Sequence, residues 1–382
     1  MERKNGYGGI DRFRLVAALL IVGIHTFPFT SISEELNFLV IHVFARIAVP
    51  FFLMATGYFL LPRYLIDNSG DTKPLVGFIK KTGLIYAAAT LIYLPVSIYA
   101  GYYSEGNVFA VAIRNILFDG TFYHLWYLPA SIIGVLLLYF LGRRFSFRAI
   151  SILAAVLYLI GLLGDSYYGV VARIPFLHSI YNAGFNIFSY TRNGLFYAPV
   201  FLVLGAVIAK KERRISLLRT SEEGVSFASD SGARMRSGAQ YRQDVYSERK
   251  GSKKTSFERT GLIALIGFAV SMALMLIEGA VLNRYDYQLH DSMYIMLVPS
   301  MYFLFSFLLT LKSSASPTLR NISMWIYVVH PLCIVVIRGA ARVTGLTNLL
   351  VENSITHYIA VCISSIIVSY ICASILKWQS KS

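Results

Sequence analysis

Charge is scarce in this sequence. Asp, Glu, Lys and Arg make up 14% of its 382 residues, against about 25% in an average soluble chain. Cysteine is scarcer still. Cys333, Cys362 and Cys372 all stand in apolar stretches without CxxC spacing, which excludes a disulfide framework and a zinc site. No Walker loop, Gly-rich dinucleotide turn, HExxH or GxSxG is present, so the common soluble-enzyme templates do not apply. What remains is apolar: 56% hydrophobic residues and a mean hydropathy of +0.59. The composition is that of a polytopic, all-α membrane protein in contact with lipid. The formal charge of +15 is no nucleic-acid footprint, because the basic residues are spread over the loops between apolar runs.

Ten spans can be drawn, at 13–30, 38–61, 76–100, 125–141, 149–164, 194–209, 260–282, 292–311, 321–338 and 355–376. Met1 to Gly9 is polar and leads into a full-length span with no small-residue cleavage pattern, which reads as a retained first helix. With both ends in the cytoplasm, 28 of the 35 Lys and Arg fall on the inner side and six on the outer, while Arg46 lies within a span. That bias satisfies the positive-inside rule and sets the expected topology of a cell-membrane protein. The aromatic stretch 167–190 reads as re-entrant or interfacial. The composition break at 210–259, rich in Ser, Gly and charge, reads as a flexible basic cytoplasmic loop near anionic headgroups. It divides spans 1–6 (1–209) from spans 7–10 (260–382).

Polar residues inside apolar spans carry the functional argument. Arg14 and His25 flank ten almost wholly apolar residues. Eleven positions at about 100° each bring them to nearly one helix face, about 16 Å apart along the axis. Arg46 sits four residues before Pro50. A charge at that depth costs about 2.5–3.5 kcal/mol on insertion scales and turns to a bundle interior or a wet cavity. The bland alternative for Arg46 is an ion pair that only holds the bundle together.

Around the expected external mouths stand His124, Asp165, Arg192 and Asp291, with Trp126, Tyr123 and Tyr127 fitting an interfacial aromatic belt. Asp165 and Asp291 read equally as headgroup-exposed or paired with Arg192. Glu278 reads as a capping or ion-pairing group beside Arg284. His330 precedes Pro331 within a span, where the proline frees a backbone carbonyl and the histidine can line the same interior. A histidine in a dry cavity serves as a general base for a hydroxyl. The same set can hold a zwitterion, with Arg46 on the carboxylate and an acid on the ammonium. Spacing leaves both open.

Arg14-x10-His25, Val49-Pro-Phe-Phe-Leu-Met-Ala-Thr-Gly-Tyr58, His124-Leu-Trp-Tyr-Leu-Pro129 and Tyr327-Val-Val-His-Pro331 resemble the acyltransferase 3 family over nearly the whole chain. That likeness implies a ten-span bundle and transfer of an acyl group from cytosolic acyl-CoA to a hydroxyl on an extracytoplasmic glycan. It makes His25 and Arg14 the catalytic pair and Lys80 and Lys81 the acyl-donor contacts. Gly9-Ile-Asp-Arg-Phe-Arg14, Thr191-Arg-Asn-Gly194 and His290-Asp-Ser-Met-Tyr294 resemble, within that family, the membrane domain of VanT-type serine racemases of glycopeptide-resistant bacteria.

That closer likeness implies L-serine uptake for a cytosolic racemase that makes D-serine for altered peptidoglycan precursors. Arg46, His124, Asp165, Arg192, Asp291 and His330 are then the substrate-binding set. A chain of this length reads as a separate membrane subunit, or a split or truncated membrane half, with no racemase barrel, no resident cofactor and no metal. Departing from the acyltransferase pattern, Leu84 and Ala87 stand where the family carries a further Arg and a Pro. Lysine offers phosphate only a point charge, so the donor site is weakened. A third reading is a membrane anchor that recruits the racemase through 210–259 or the C-terminus.

Overall fold

The computed structural model describes residues 7–102, 107–230, 240–311 and 313–379. Each of the ten expected windows falls on helix, and among the described residues there is no strand beyond one isolated bridge between Tyr7 and Ser313. Five stretches are long and apolar enough to cross a membrane: Glu34–Leu60, Lys73–Tyr99, Arg259–Arg284, Pro317–Thr344 and Ser354–Ile375. Three shorter apolar helices accompany them. The first helix, α1 (Gly8–Thr26), falls outside both groups; Asp11, Arg12 and Arg14 occupy its opening turns.

The second stretch is not one regular helix. Phe38–Val43 is π-helical, Phe44–Ile47 is 3₁₀, and α2 (Ala48–Leu60) follows. Pro50 has no N–H to offer the carbonyl four residues back, and the local rewinding absorbs that loss. Next come α3 (Lys73–Tyr99), α4 (Tyr127–Gly142) and α5 (Phe147–Leu163). The aromatic stretch folds into α6 (Tyr168–Ala172) and α7 (Pro175–Phe185), five and eleven residues long and too short to cross a bilayer. Then follow α8 (Ala198–Asp230), α9 (Gln240–Arg284), α10 (Leu297–Thr310), α11 (Pro317–Thr344) and α12 (Ser354–Gln379).

The window 210–259, expected to be a flexible basic cytoplasmic loop, is helical over 210–230 and 240–259, and 231–239 lie outside the described residues. Lys, Arg, Glu and Gln are good helix formers, so a helix leaving the bilayer can continue without a core.

α2 and α8 pack so closely that Gly57 faces the Leu202 carbonyl and Gly205 faces the Met54 carbonyl, with no room for a Cβ at either. Small residues are what permit such an approach where lipid supplies no hydrophobic drive between helices. α1 lies against α2 and α11, and α9 and α12 pack outside on α10 and α11. Leu262, Ile266, Ile277, Ile363 and Ile367 on those outer helices remain exposed, as lipid-facing positions should.

α11 runs without interruption through His330-Pro331. Pro331 leaves the Tyr327 carbonyl without its helical donor. One turn on, a side chain from α3 enters the ladder. The Tyr93 hydroxyl donates to the Val328 carbonyl at 2.6 Å and accepts from the Leu332 amide at 3.3 Å. This hydroxyl, inserted into the helical ladder, ties α3 to α11.

A candidate substrate site in the bundle

Three groups of polar residues line the interior. The first gathers around the loop 286–296. Asp291 accepts from Arg46 Nη2 and pairs with His42 Nδ1. The π-helical turn lets His42 and Arg46 converge on one carboxylate. Phe27 and Phe38 stack on the His42 ring, at 5.5 and 5.7 Å between centroids. The Tyr294 hydroxyl donates to the His42 carbonyl at 2.9 Å. Asp291 lies in a loop outside the helices. Its burial works to raise its pKa, but Arg46 and then His42 overrule it and hold the carboxyl well below the usual range.

Asp165 and Arg192 do not pair as the sequence allowed, and Asp165 is not exposed to headgroups. Asp165 is fully buried and accepts from the Ser292 and Met293 amides at 2.7 and 2.9 Å and from the Ser166 hydroxyl at 3.0 Å. Its role is to shape the loop that presents Asp291. Burial, and then the Asp291 charge, raise it to about 6. Arg192 donates to the Ser292 hydroxyl at 3.2 Å and lies over the rings of Tyr190 and Trp126, while its Nε is buried without a partner. Trp126 is buried beneath it, Tyr123 packs on His25 and Tyr127 lines an internal cavity. These aromatics belong to the interior and not to an interfacial belt. Glu278 is a cap, but for another helix: it accepts from Tyr167 and from the Ile295 and Met296 amides that open α10.

The second group is histidine. His25 stacks on His330 at 5.3 Å, His124 meets His330 edge-on at 5.2 Å, and Tyr123 lies 4.7 Å from His25. His124 and His330 are buried. Arg46 and Arg192 are within electrostatic reach of His25, so the two groups face one interior. Among the described residues no cluster of His, Cys, Asp and Glu could hold a metal ion.

The third group lies at the opposite end of α1. Arg14, Lys81 and Arg320 line a cavity of about 540 Å³ whose walls include Phe52, Phe78 and Ile85 and which reaches Tyr127 and Tyr327. Buried Asp11 sits between the cations, 3.7 Å from Arg14 and 3.4 Å from Arg320, and accepts from the Ser316 amide. The Tyr327 hydroxyl donates to the His124 carbonyl at 2.6 Å, joining the cavity wall to the histidines. Lys80 is exposed and does not line the cavity.

Sequence reasoning missed His42, Arg320 and Tyr93. The i, i+4 spacing of His42 and Arg46 was the available signal for the first. Arg320 and Tyr93 offered none, since their partners lie far along the chain.

Comparison with known proteins adds three relatives. An amino-acid racemase of Enterococcus faecalis is 39% identical over 99% of this chain and 46% of its own length. A second from the same organism is 34% identical over 96% and 46%. The serine/alanine racemase of Enterococcus gallinarum is 33% identical over 95% and 45%. The chain thus spans somewhat less than half the length of each. No solved structure matches it. The model of the acyltransferase domain, Acyl_transf_3, matches residues 7–374, so this membrane protein belongs to the acyltransferase 3 family.

Proposed function

We propose that the chain is the membrane part of a VanT-type racemase system and takes up L-serine across the cell membrane for a cytosolic racemase. The D-serine made there serves altered peptidoglycan precursors in glycopeptide resistance. Both termini are cytoplasmic in this reading, so the Arg46–Asp291 end faces outward. The observation that carries it is that ion pair: opposite charges side by side, 11% and 26% exposed at the side chain. A small hollow of about 270 Å³ lined by Glu34, Glu35, His42 and Asn283 lies beside it, sharing His42. An incoming zwitterion can exchange with the pair, its carboxylate going to Arg46 and its ammonium to Asp291. Arg192, with its unpartnered Nε, offers a second carboxylate donor. The relatives' names supply the substrate class.

The test is uptake of radiolabelled L-serine into proteoliposomes holding this protein alone. Saturable uptake is expected, reduced about tenfold or more by Arg46→Lys, which keeps the charge but loses the fork. Uptake no greater than in empty vesicles refutes the reading.

The 540 Å³ cavity favours a second reading, acyl transfer. Arg14, Lys81 and Arg320 would hold the phosphates of an acyl-CoA donor, the apolar walls its acyl chain, and His25 would serve as base. Acetyl-CoA turnover by the purified protein, lost in Arg320→Ala and His25→Ala, would establish it.

A further inference from the structure

Four helix ends meet at the end of the bundle where Tyr7 packs against Phe59, 4.9 Å between ring centroids. α2 finishes there at Leu60, α3 begins at Lys73, α4 finishes at Gly142 and α5 begins at Phe147. Between them lies a hollow of about 550 Å³, walled by the loop after α2 with Ser69 and Thr72 and by the α4–α5 turn with Arg143, Arg144 and Ser146. No Asp or Glu lines it. The acids of the loop are engaged elsewhere: Asp67 accepts from Arg213 Nη1 at 2.7 and 2.9 Å, and Asp71 accepts from the Lys73 amide at 3.0 Å. Among the described residues neither Arg143 nor Arg144 has a carboxylate partner. Arg143 Nη1 donates instead to the hydroxyl of buried Tyr139 at 3.2 Å. The serines are left as donors too. Ser69 Oγ accepts from the Asp71 amide at 3.2 Å and Ser146 Oγ from the Ala149 amide at 3.3 Å, so each keeps its own proton to give. The wall that carries Ser69 is fixed in place. The Tyr64 hydroxyl donates to the Asp71 carbonyl at 3.0 Å and accepts from the Leu75 amide at 3.2 Å.

We propose that this hollow binds a phosphate group, either the phosphodiester of an anionic lipid or a free phosphate. Two guanidinium forks and two hydroxyl protons, with no carboxylate opposing them, match an anion that presents several acceptor oxygens. Its place favours the lipid as source. Helix ends mark the level at which the hydrocarbon core gives way to headgroups, and basic pockets between spans on the cytoplasmic side hold lipid headgroups. Leu65, Phe147 and Phe145, the last 55% exposed, line the same hollow and give apolar surface to the glycerol and the first methylenes of a lipid. The inference stands apart from the serine-uptake and acyl-transfer readings, since the hollow shares no lining residue with the 540 Å³ cavity or with the hollow at His42.

The test titrates the full chain, in a neutral detergent, with dioleoylphosphatidylglycerol and counts bound lipid by native mass spectrometry. A single tightly held lipid per chain is expected, and none of dioleoylglycerol, which has the same tails without the phosphate. The double variant Arg143→Gln, Arg144→Gln should weaken retention about tenfold or more, the worth of at least one charged hydrogen bond. The double variant Arg63→Gln, Arg148→Gln alters exposed cations at the same helix ends but outside the hollow, and should leave retention unchanged. Equal losses in both double variants mean diffuse surface charge and overturn the proposal. Dioleoylglycerol held as tightly as the phospholipid also overturns it, and that comparison uses the unaltered chain, so the proposal can fail even where a variant does not fold. Inorganic phosphate supplies the other arm, followed by titration calorimetry. Phosphate binding that is lost in Arg143→Gln, Arg144→Gln, with no lipid retained, sustains the site and assigns its ligand to solution. Binding of neither phosphate nor phospholipid overturns it.

Discussion

Replacing Asp291 by Ala should destabilise the protein through the arginine it leaves behind. Arg46 enters the interior from a rewound turn, and its side chain is only 11% exposed. Removing one partner of a buried pair costs about 3–5 kcal/mol, because the remaining charge is desolvated and unpaired. Asp291 is 26% exposed, so water can reach part of the site, and a loss of about 2–4 kcal/mol is expected. His42 adds to it by losing the same carboxylate. Arg46→Met removes the stranded charge and keeps much of the volume. The double variant should therefore recover most of the loss, with a coupling of about 1.5–3 kcal/mol. The assay is a double-mutant cycle of SDS-induced or thermal unfolding in detergent or bicelles. If Asp291→Ala costs less than about 0.5 kcal/mol, or if the two substitutions simply add, the pair is not a coupled buried unit. Both the structural argument and its use as an exchangeable zwitterion site would then fail.

Other outcomes follow from the same geometry. Asp165, raised to about 6 in the fold and near 3.8 when unfolded, binds its proton more tightly in the native state. Stability should accordingly fall as pH rises from about 4 to about 6, by up to about 3 kcal/mol, and Asp165→Asn should flatten that slope in a melting-temperature series. Asp291 is shifted the opposite way, so its contribution is present above the ordinary carboxylate pKa and is lost only in stronger acid. Tyr93→Phe removes the hydroxyl wedged between Val328 and Leu332 and should cost about 1–3 kcal/mol in thermal unfolding. Gly205→Leu has only backbone to collide with on α2. It should abolish the monodisperse detergent peak on size exclusion, whereas Gly339→Leu, with open space around it, should leave the peak intact.

The helical layout was legible because bilayer length and apolar runs constrain a chain strongly. Every drawn window fell on helix, and 167–190 folded as two helices too short to cross. The charged stretch 210–259 is helical over its described residues without an apolar run, because solubility and helix propensity are separate properties, and Lys, Arg and Glu satisfy both. Within the candidate site, Arg46 was found by its cost in an apolar span and Arg192 and Asp291 by their place at the expected external mouths, but their pairing was not. Asp291 chooses Arg46 and His42, 245 and 249 residues away, because a π-helical turn aims both at the loop 286–296. Asp165 lies next to that loop in space, and two backbone amides claim its carboxylate before Arg192 can.

The sequence by itself determined that the chain is a helical membrane protein with a few costly polar groups in apolar spans, since transfer energies and hydrogen-bond needs are local properties. It also marked Pro331 as a residue that leaves a backbone carbonyl of its span without a helical donor. Only the tertiary structure decided what those groups do for one another. Which carboxylate meets which cation and which side chain enters the α11 ladder both depend on helices brought together across more than two hundred residues. No local pattern encodes that meeting.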